Sequence, residues 1–398
     1  MDANTEERLF GEIREQVMAD LGSGAFTSDN EAAEAIDRAI KDRAYGLRLT
    51  LTERLRLKKR IFDSMKKLDV LQELLEDRHV TEIMINSHEE IFMERDGRME
   101  RWAGSFESRE KLEDMIQQIV SRINRRVNTS VPIADARLPD GSRVHIVLPP
   151  VALKGPTITI RKFPEVIEMD KMIRYGTVTY EAAAFLKKLV AAGYNIFISG
   201  GTGSGKSTFL NALTQYIPPD ERIITIEDSA ELKIRHIPNL VSLETRDANF
   251  EGEGEISMAM LIRAALRMRP DRIIVGEVRG AEALDMLTAM NTGHDGSLST
   301  GHANSTEDML TRLESMVLMA AELPLKAIRD QISAGIDIMV HLSRMPDKSR
   351  KVMEISEVEG LADERIRLNK IFEYDHRERS LKRKGELKNR EKLTRAGK

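Results

Sequence analysis

The stretch that decides the fold is Gly200–Ser207, with the sequence Gly-Gly-Thr-Gly-Ser-Gly-Lys-Ser. It matches the pattern G-x-x-x-x-G-K-[ST] at every fixed position. An apolar run at 195–199 precedes it and predicts a short buried strand, and the run at 208–213 predicts the start of a helix. In that setting, backbone N–H groups and the helix N-terminus together favour a bound anion. The stretch therefore predicts a phosphate-binding loop rather than a glycine-rich turn without a ligand.

The side chains of this loop suit a nucleotide together with its metal ion. We expect Lys206 to reach the β- and γ-phosphates of ATP and the hydroxyl of Ser207 to ligate Mg²⁺. The predicted nucleotide-binding residues of the loop and of the helix after it are Gly200, Gly201, Thr202, Gly203, Ser204, Gly205, Lys206, Ser207 and Thr208.

The composition is typical of a soluble protein with more than one domain. The chain has 398 residues, of which 41% are hydrophobic and 32% are charged, and this length suits two or three domains. No apolar run approaches the roughly 18 residues of a membrane-spanning helix. The N-terminus is acidic and lacks the features of a signal peptide, so we expect a cytoplasmic protein. The absence of cysteine excludes disulfides and thiolate metal sites.

The pattern of residues divides the chain into four predicted parts. Residues 1–68 have apolar residues at helical spacing and predict an N-terminal helical bundle without a catalytic cluster. Residues 69–165 combine strand-like runs with one amphipathic stretch at 108–127, and predict a small α+β domain that ends at Phe163–Glu165. We expect a nucleotide domain at 166–375 and a basic tail at 376–398. The tail holds ten Lys/Arg and three Glu, a net charge of +7.

Three arginines in the predicted strands of the α+β domain are candidate phosphate ligands. These residues are Arg137, Arg143 and Arg161. They are either exposed charges at strand edges or contacts to the phosphates of ATP across a domain or subunit boundary.

Two apolar strands beyond the loop end in carboxylates. The run Ile223–Asp228 ends in Glu227 and Asp228, and the run Arg272–Glu277 ends in Glu277. In a parallel sheet these ends lie at the same edge as the phosphate-binding loop. A carboxylate there can orient the attacking water or accept its proton. Glu277 occupies the Walker B position, where many P-loop proteins have Asp, and we expect it to hold Mg²⁺ through water.

Histidines and arginines complete the candidate site. His294 and His302 each follow a glycine and flank a strand-like stretch, and a histidine near the γ-phosphate could report its presence. No third ligand at metal spacing accompanies them, which excludes a zinc site. An arginine from a neighbouring subunit can stabilise the charge that develops in phosphoryl transfer. The candidates, in order of preference, are Arg246, Arg279 and Arg263.

Together these motifs resemble the secretion ATPase superfamily that powers type II and type IV secretion and type IV pili. Its four signatures occur in order: the Walker A loop, the acidic box at Ile226–Asp228, the Walker B strand ending at Glu277, and the histidine box His294–His302. The runs at 243–246, 266–287, 289–297 and 322–325 resemble CpaF-type ATPases of tight-adherence (Flp) pili. The resemblance covers about residues 70–360. The absence of cysteine departs from branches that carry a four-cysteine zinc module.

The resemblance implies both the fold and the activity. The expected fold is an α/β, RecA-like P-loop NTPase domain, preceded by a small α+β (PAS-like) domain and the N-terminal helical bundle. The expected activity is Mg²⁺-dependent hydrolysis of ATP to ADP and phosphate by a homohexamer at the cytoplasmic face of the inner membrane. The partner would be a pilus or secretion platform protein, through which the ATPase associates with the membrane. The resemblance also implies that Glu227 is the catalytic base and that Glu277 lies on the Mg²⁺ side.

Several alternatives to a pilus-assembly motor stay open. Within the superfamily these are a conjugative type IV secretion ATPase and an archaeal filament motor. A nucleic-acid translocase is a further class, but aromatic residues are only 5% of the chain, so few side chains could stack on bases; we expect no specific nucleic acid. A scaffold that binds ATP without hydrolysis is opposed by the presence of Lys206, Glu227 and Glu277. The basic tail is either solvated or a contact for anionic lipid or an acidic partner.

Overall fold

The structure is a computed structural model that describes residues 3–21, 29–43, 49–66, 68, 70–121, 127–162, 167–246, 248 and 253–397. The chain divides into two units, Met1–Glu165 and Val166–Lys398. Residues 122–126 of the predicted amphipathic stretch and the predicted domain end at Phe163–Glu165 lie outside the described residues. Among the described residues, no helix is both long enough and apolar enough to cross a membrane.

The first unit begins with the predicted helical bundle. Its helices are α1 (Ala3–Leu21), α2 (Asp29–Arg43) and α3 (Leu51–Lys66). The apolar residues at helical spacing meet in a core of their own, which includes Leu9, Ile13, Val17, Ile36, Ile40, Leu57 and Ile61. Helix α3 begins with a capping box, because the amide of Thr50 donates to the carboxylate of Glu53 at 2.8 Å and the amide of Glu53 donates to Thr50 Oγ1 at 3.3 Å.

The predicted α+β domain completes the first unit. Its elements are α4 (Leu71–Glu76), β1 (Val80–Ile85), β2 (Ile91–Arg95), β3 (Arg98–Arg101), α5 (Arg109–Ser121), β4 (Ile133–Arg137), β5 (Arg143–Val147) and β6 (Thr157–Arg161). The six strands form an antiparallel sheet in the order β3-β2-β1-β6-β5-β4. Residues that alternate along these strands pack with α5 in one core, as shown by Ile83, Ile85, Ile146, Ile160 and Ile116.

The second unit contains a nine-stranded sheet in the order β15-β14-β13-β12-β7-β11-β10-β8-β9. The six strands from β12 to β9 in this order are parallel, and β13 to β15 extend the sheet as antiparallel strands. The elements are α6 (Met169–Arg174), α7 (Tyr180–Ala191), β7 (Ile196–Gly200), α8 (Lys206–Thr214), β8 (Ile223–Glu227), β9 (Leu240–Glu244), α9 (Met258–Ala265), β10 (Arg272–Val278), α10 (Glu282–Asn291), β11 (Leu298–Gly301), α11 (Thr306–Ala320), α12 (Leu325–Gly335), β12 (Ile338–Arg344), β13 (Arg350–Ala362), β14 (Arg365–Asp375), β15 (Ser380–Arg383) and α13 (Glu391–Arg395).

Helices cover both faces of this sheet. Helices α6, α7 and α8 pack on one face, and α9, α10, α11 and α12 pack on the other. Strands β7, β8 and β11 are buried along their whole length, which explains why they read as continuous apolar runs. Because β7, β8, β10 and β11 are parallel, the loops that follow them all open at one edge of the sheet.

Residues 376–397, which the sequence set apart as a basic tail, continue the second unit. Strand β15 pairs with β14, and Leu387 is buried in the core beneath α7. The hydroxyl of Tyr194 donates to the carbonyl of Asn389 at 2.6 Å. Several basic side chains of the segment form ion pairs with glutamates, in the pairs Lys382–Glu378, Arg383–Glu386, Lys388–Glu359, Arg390–Glu386 and Arg395–Glu391. The segment is therefore folded against the sheet, and much of its positive charge is balanced locally.

Candidate nucleotide site

The loop Gly200–Ser207 connects the central strand β7 to helix α8, as predicted from its sequence. Gly203 and Gly205 have φ angles of 70° and 93°, in the left-handed region that favours glycine. At Gly200 a side chain is excluded for another reason, because a Cβ atom would overlap the carbonyl oxygen of Leu342 on β12. These glycines let the backbone turn tightly around the N-terminus of α8, where unpaired amides attract anions.

Lys206 lies at the centre of the site and is only 7% exposed. Its ammonium group donates to the carbonyls of Gly200 at 3.1 Å and Gly201 at 3.3 Å, and it lies 3.2 Å from Nδ1 of His302. Burial lowers the pKa of Lys206, and the nearby carboxylate of Glu277 opposes that shift. The lysine is thus held against its own loop, next to the position where the motif predicts phosphates.

His302 links the lysine to the Walker B strand. It follows β11, which is parallel to β7 and pairs with it. Its Nε2 atom lies 2.8 Å from Oε1 of Glu277, without hydrogen-bond alignment. Burial, followed by the charge of Lys206, lowers the pKa of His302. A neutral imidazole that accepts from Lys206 at Nδ1 carries its proton on Nε2, the ring nitrogen nearer to Glu277.

Glu277 extends the chain of charges to Arg279 and Asp228. The guanidinium of Arg279 donates to Oε2 of Glu277 at 2.9 Å and lies 3.4 Å from Oδ2 of Asp228. The hydrogen bond that Arg279 donates to Glu277 is the main reason that the pKa of Arg279 is raised. The structure therefore brings together Lys206, His302, Glu277, Arg279 and Asp228 at the edge of the sheet where the phosphate-binding loop lies.

Glu227 lies at the same edge but is buried, with 4% of its surface exposed. Its Oε1 atom accepts hydrogen bonds from the amides of Glu231 at 2.9 Å and Leu232 at 3.1 Å. Burial raises its pKa to about 7, although those two hydrogen bonds act in the opposite direction. Strands β10 and β11 separate β8 from β7. In this conformation the carboxylate thus holds the loop after β8, while Glu277 is the glutamate in contact with His302.

Other predicted residues lie away from this cluster. His294 precedes β11, so within the chain it lies at the opposite edge of the sheet from His302, and its Nδ1 atom is 3.1 Å from the carbonyl of Ala289. Arg246 donates to the carbonyl of Gly254 at 2.7 Å. Arg263, on α9, forms an ion pair of 2.9 Å with Asp285.

The three arginines of the first unit lie on adjacent strands of its sheet. Arg143 on β5 is opposite Arg137 on β4 and also opposite Arg161 on β6. They form a row of positive charge across three strands. Arg161 also lies 3.8 Å from Oε1 of Glu82.

Sequence reasoning missed two arginines beside the loop. Arg350, at the start of β13, donates from Nε to the carbonyl of Gly203 at 3.3 Å. A guanidinium nitrogen of Arg344, at the end of β12, lies 3.8 Å from the position that a Cβ atom on Gly203 would occupy. The phosphate-binding motif does not indicate these two arginines, because it ends at Ser207, 137 residues before Arg344. The available signal in the sequence is the local density of basic residues in 344–351.

The donors at this edge fit a hard cation such as Mg²⁺. Ser207 offers a hydroxyl from the first turn of α8 and Glu277 offers a carboxylate. Within the described residues, no group of three His, Asp or Glu could hold a metal by itself. In general, Mg²⁺ takes one or two protein oxygens and completes its shell with substrate phosphates and water.

Comparison with known proteins identifies the family. Residues 64–386 match the family model described as Type II/IV secretion system protein. The chain belongs to this family. Over 72% of its length it is 35% identical to a putative conjugal transfer protein of Mycobacterium tuberculosis, of which it covers 83%. Over 69% of its length it is 34% identical to the type IV secretion system protein VirB11 of Brucella suis, of which it covers 84%.

A solved structure supports the fold. The pilus retraction motor PilT with bound ADP matches with a TM-score of 0.54 and 21% identity, over 72% of this chain and 81% of PilT. At that level of identity the likeness concerns the fold alone. It confirms the predicted RecA-like α/β architecture for this member of the Type II/IV secretion system family. Family membership does not by itself assign the chain to the CpaF-type subgroup.

Proposed function

We propose that the protein is a Mg²⁺-dependent ATPase that hydrolyses ATP to ADP and phosphate. The observation that carries this proposal is the contact between Lys206 of the phosphate-binding loop and His302, which in turn lies against Glu277. A bound γ-phosphate is expected next to Lys206. The loop supplies amides and the lysine for the phosphates, and Arg279 supplies further positive charge beside Glu277.

We further propose that Glu277 polarises the attacking water. Geometry decides before pKa in the choice of a general base, and Glu277 is the carboxylate that lies one histidine away from Lys206. The resemblance instead suggested Glu227, whose pKa of about 7 suits a base, but its carboxylate is buried and bonded to two amides. When bound, Mg²⁺ would neutralise charge on the phosphates. The hydroxyl of Ser207 would ligate the ion directly, and Glu277 would hold it through water.

The test is a pair of isosteric variants. We expect Glu277→Gln to retain ATP binding and to lose hydrolysis by about two orders of magnitude or more. Under this proposal Glu227→Gln has the smaller effect on turnover at saturating ATP. Full hydrolysis by Glu277→Gln, with loss in Glu227→Gln, would return the role of base to Glu227. Lys206→Ala should weaken nucleotide binding itself, and unchanged affinity would refute the assignment of the loop.

For the cellular role, we propose a homohexameric motor that acts on an inner-membrane platform protein and powers a tight-adherence (Flp) pilus. The support is the CpaF-like runs at 266–287 and 289–297. In this role the protein is cytoplasmic and peripheral to the membrane. Arg137, Arg143 and Arg161 stay predicted phosphate contacts. Arg246, Arg279 and Arg263 stay candidates for the arginine that a neighbouring subunit supplies.

A second candidate is a traffic ATPase for conjugative type IV secretion, because relatives at 34% and 35% identity carry the names conjugal transfer protein and VirB11. Lys206→Ala in the native host separates the two, with surface filaments counted by electron microscopy and conjugation scored on the same cells. Lost filaments with normal transfer support the pilus motor. Normal filaments with lost transfer support the conjugative role. A nucleic-acid translocase is less supported, since many basic groups of 376–397 are paired with glutamates.

A further inference from the structure

A pair of arginines faces the phosphate-binding loop from β12 and β13. We call residues 344–350, with the ends of the two strands, the arginine hairpin. Arg344 and Arg350 are directly opposite each other in the antiparallel pair, and both are exposed. Like charges directly opposite in a sheet repel and are destabilising. Such an arrangement is expected where an anion bridges the two cations.

The side chains of Arg344 and Arg350 lie beside the loop Gly200–Ser207, where the nucleotide is proposed to bind. Strand β12 pairs with β7 so that Leu342 is level with Gly200, the last residue of β7. Arg344, two residues further along β12, therefore lies beyond the carboxyl end of β7. Arg350 donates to the carbonyl of Gly203 at 3.3 Å, and its Cδ atom lies 3.6 Å from the Cβ position of Gly205. The arginine hairpin thus forms a wall beside Gly203 and Gly205.

No carboxylate neutralises this wall within the part of the chain that the structure describes. The side chain of Arg344 makes no hydrogen bond or ion pair with a described residue, and the side chain of Arg350 donates to a carbonyl. The one acidic residue of the hairpin, Asp347, accepts hydrogen bonds from the amide of Ser349 at 2.9 Å and from its hydroxyl at 2.6 Å. These bonds lower the pKa of Asp347, the hydroxyl bond most, and turn it toward the tip of the hairpin.

We propose that Arg344 and Arg350 bind the α- and β-phosphates of a nucleoside di- or triphosphate. This rests on the proposed function of Gly200–Ser207 as a nucleotide site. Strand β7 lies between β11 and β12, so His302 and Glu277 are on one side of the loop and the arginine hairpin is on the other. The γ-phosphate is expected on the side of His302 and Glu277, because Lys206 lies against His302 there. The arginines then meet the phosphates nearer the nucleoside, which ADP and ATP share.

The test is a binding series on the full chain. Fluorescent ADP is displaced by ADP, AMP and adenosine in the wild type, Arg344→Ala and Arg350→Lys. Arg365→Ala serves as the matched control, because Arg365 is an exposed arginine at the start of β14, opposite Ala362 at the far end of β13. We expect Arg344→Ala to raise the Kd of ADP about tenfold, as for loss of a charge-assisted hydrogen bond. The Kd of adenosine should stay within twofold of the wild type.

The kinetic readout separates binding from chemistry. Under the proposal, Arg344→Ala raises the KM for ATP by about the same factor and leaves kcat within twofold, because the contact is equal in ground and transition states. Arg350→Lys keeps a positive charge and its stem against Gly205, so a smaller loss of ADP affinity than in Arg344→Ala is expected. Arg344→Ala is the variant least able to disturb the loop, because the side chain of Arg344 makes no hydrogen bond or ion pair with a described residue.

Three results would overturn the proposal. ADP affinity in Arg344→Ala equal to that of Arg365→Ala would show that the hairpin does not bind phosphate. An equal loss for adenosine and ADP would place the contact on the nucleoside. A fall in kcat with unchanged KM would make the effect catalytic. The proposed function fails separately, if the wild type binds no nucleotide or Lys206→Ala binds as the wild type does.

Discussion

Replacement of Glu227 by glutamine should stabilise the second unit at high pH and have little effect at low pH. The carboxyl group of Glu227 has a pKa of about 7 in the folded chain, against an ordinary value of 4.5. Between these values the folded chain holds a proton that the unfolded chain releases, so this group lowers stability as pH rises from 4.5 to 7. The loss is complete above pH 7. At about 1.4 kcal/mol for each pKa unit, it amounts to about 3 kcal/mol.

The glutamine variant cannot ionise, so it does not incur this loss. About 2.5 kcal/mol of the loss falls between pH 5 and pH 8, because pH 5 already lies above the ordinary pKa. For a domain of this size, 1 kcal/mol corresponds to about 2 to 4 °C in Tm, so the gain of Glu227→Gln over wild type should grow by about 5 °C or more between these pH values. Differential scanning calorimetry of both proteins at the two pH values measures it. Glu322→Gln, at an exposed glutamate, controls for the loss of one negative charge. An equal difference in Tm at both pH values would refute the reasoning.

Three further predictions use other contacts. Glu277→Gln should bind ATP as the wild type does and hydrolyse it at least about 100-fold more slowly, measured by equilibrium binding and phosphate release. Gly200→Ala should cost about 1–3 kcal/mol of stability, because its Cβ atom would overlap a backbone carbonyl of β12; an unchanged Tm would contradict this. Lys392→Met should destabilise the chain more at pH 8 than at pH 4, since it leaves the buried Asp337, whose pKa burial already raises, without its partner at 2.7 Å. Tm values at the two pH values, with Lys348→Met as an exposed control, measure this effect.

The central strands could be predicted because their signals are local. Strands β7, β8 and β10 are apolar runs that end in a motif or a carboxylate, and parallel pairing brings such ends to one edge. The same rule predicts that His302 approaches Lys206. It also separates His302 from His294, since a four-residue strand lies between them. That strand can be read from the sequence, and it places the two histidines at opposite edges of the sheet.

Other parts depend on pairing between distant residues and could not be read from a local pattern. Strand β3 is exposed at all four positions, so it lacks the alternation that identifies a strand. The arginine hairpin reaches Gly203 only through the register of β12 against β7. The basic composition of 376–398 favoured a separate tail, but Leu387 is buried and ion pairs to glutamates offset the charge. Composition shows how many charges are present and not which of them are paired.

The two glutamates of the site are linked by Gly276, which lies on β10 next to Glu277. A Cβ atom on Gly276 would lie 2.9 Å from Cγ of Glu227, so the side chain of Glu227 fills the space that Gly276 leaves beside Glu277. A change at position 227 that alters this packing can therefore move Glu277 through the backbone of β10. Loss of hydrolysis in a Glu227 variant alone would not identify a base, because displacement of Glu277 has the same result. Only the isosteric pair Glu227→Gln and Glu277→Gln, compared at equal occupancy by ATP, assigns the role, since each keeps the side-chain volume and removes the carboxylate.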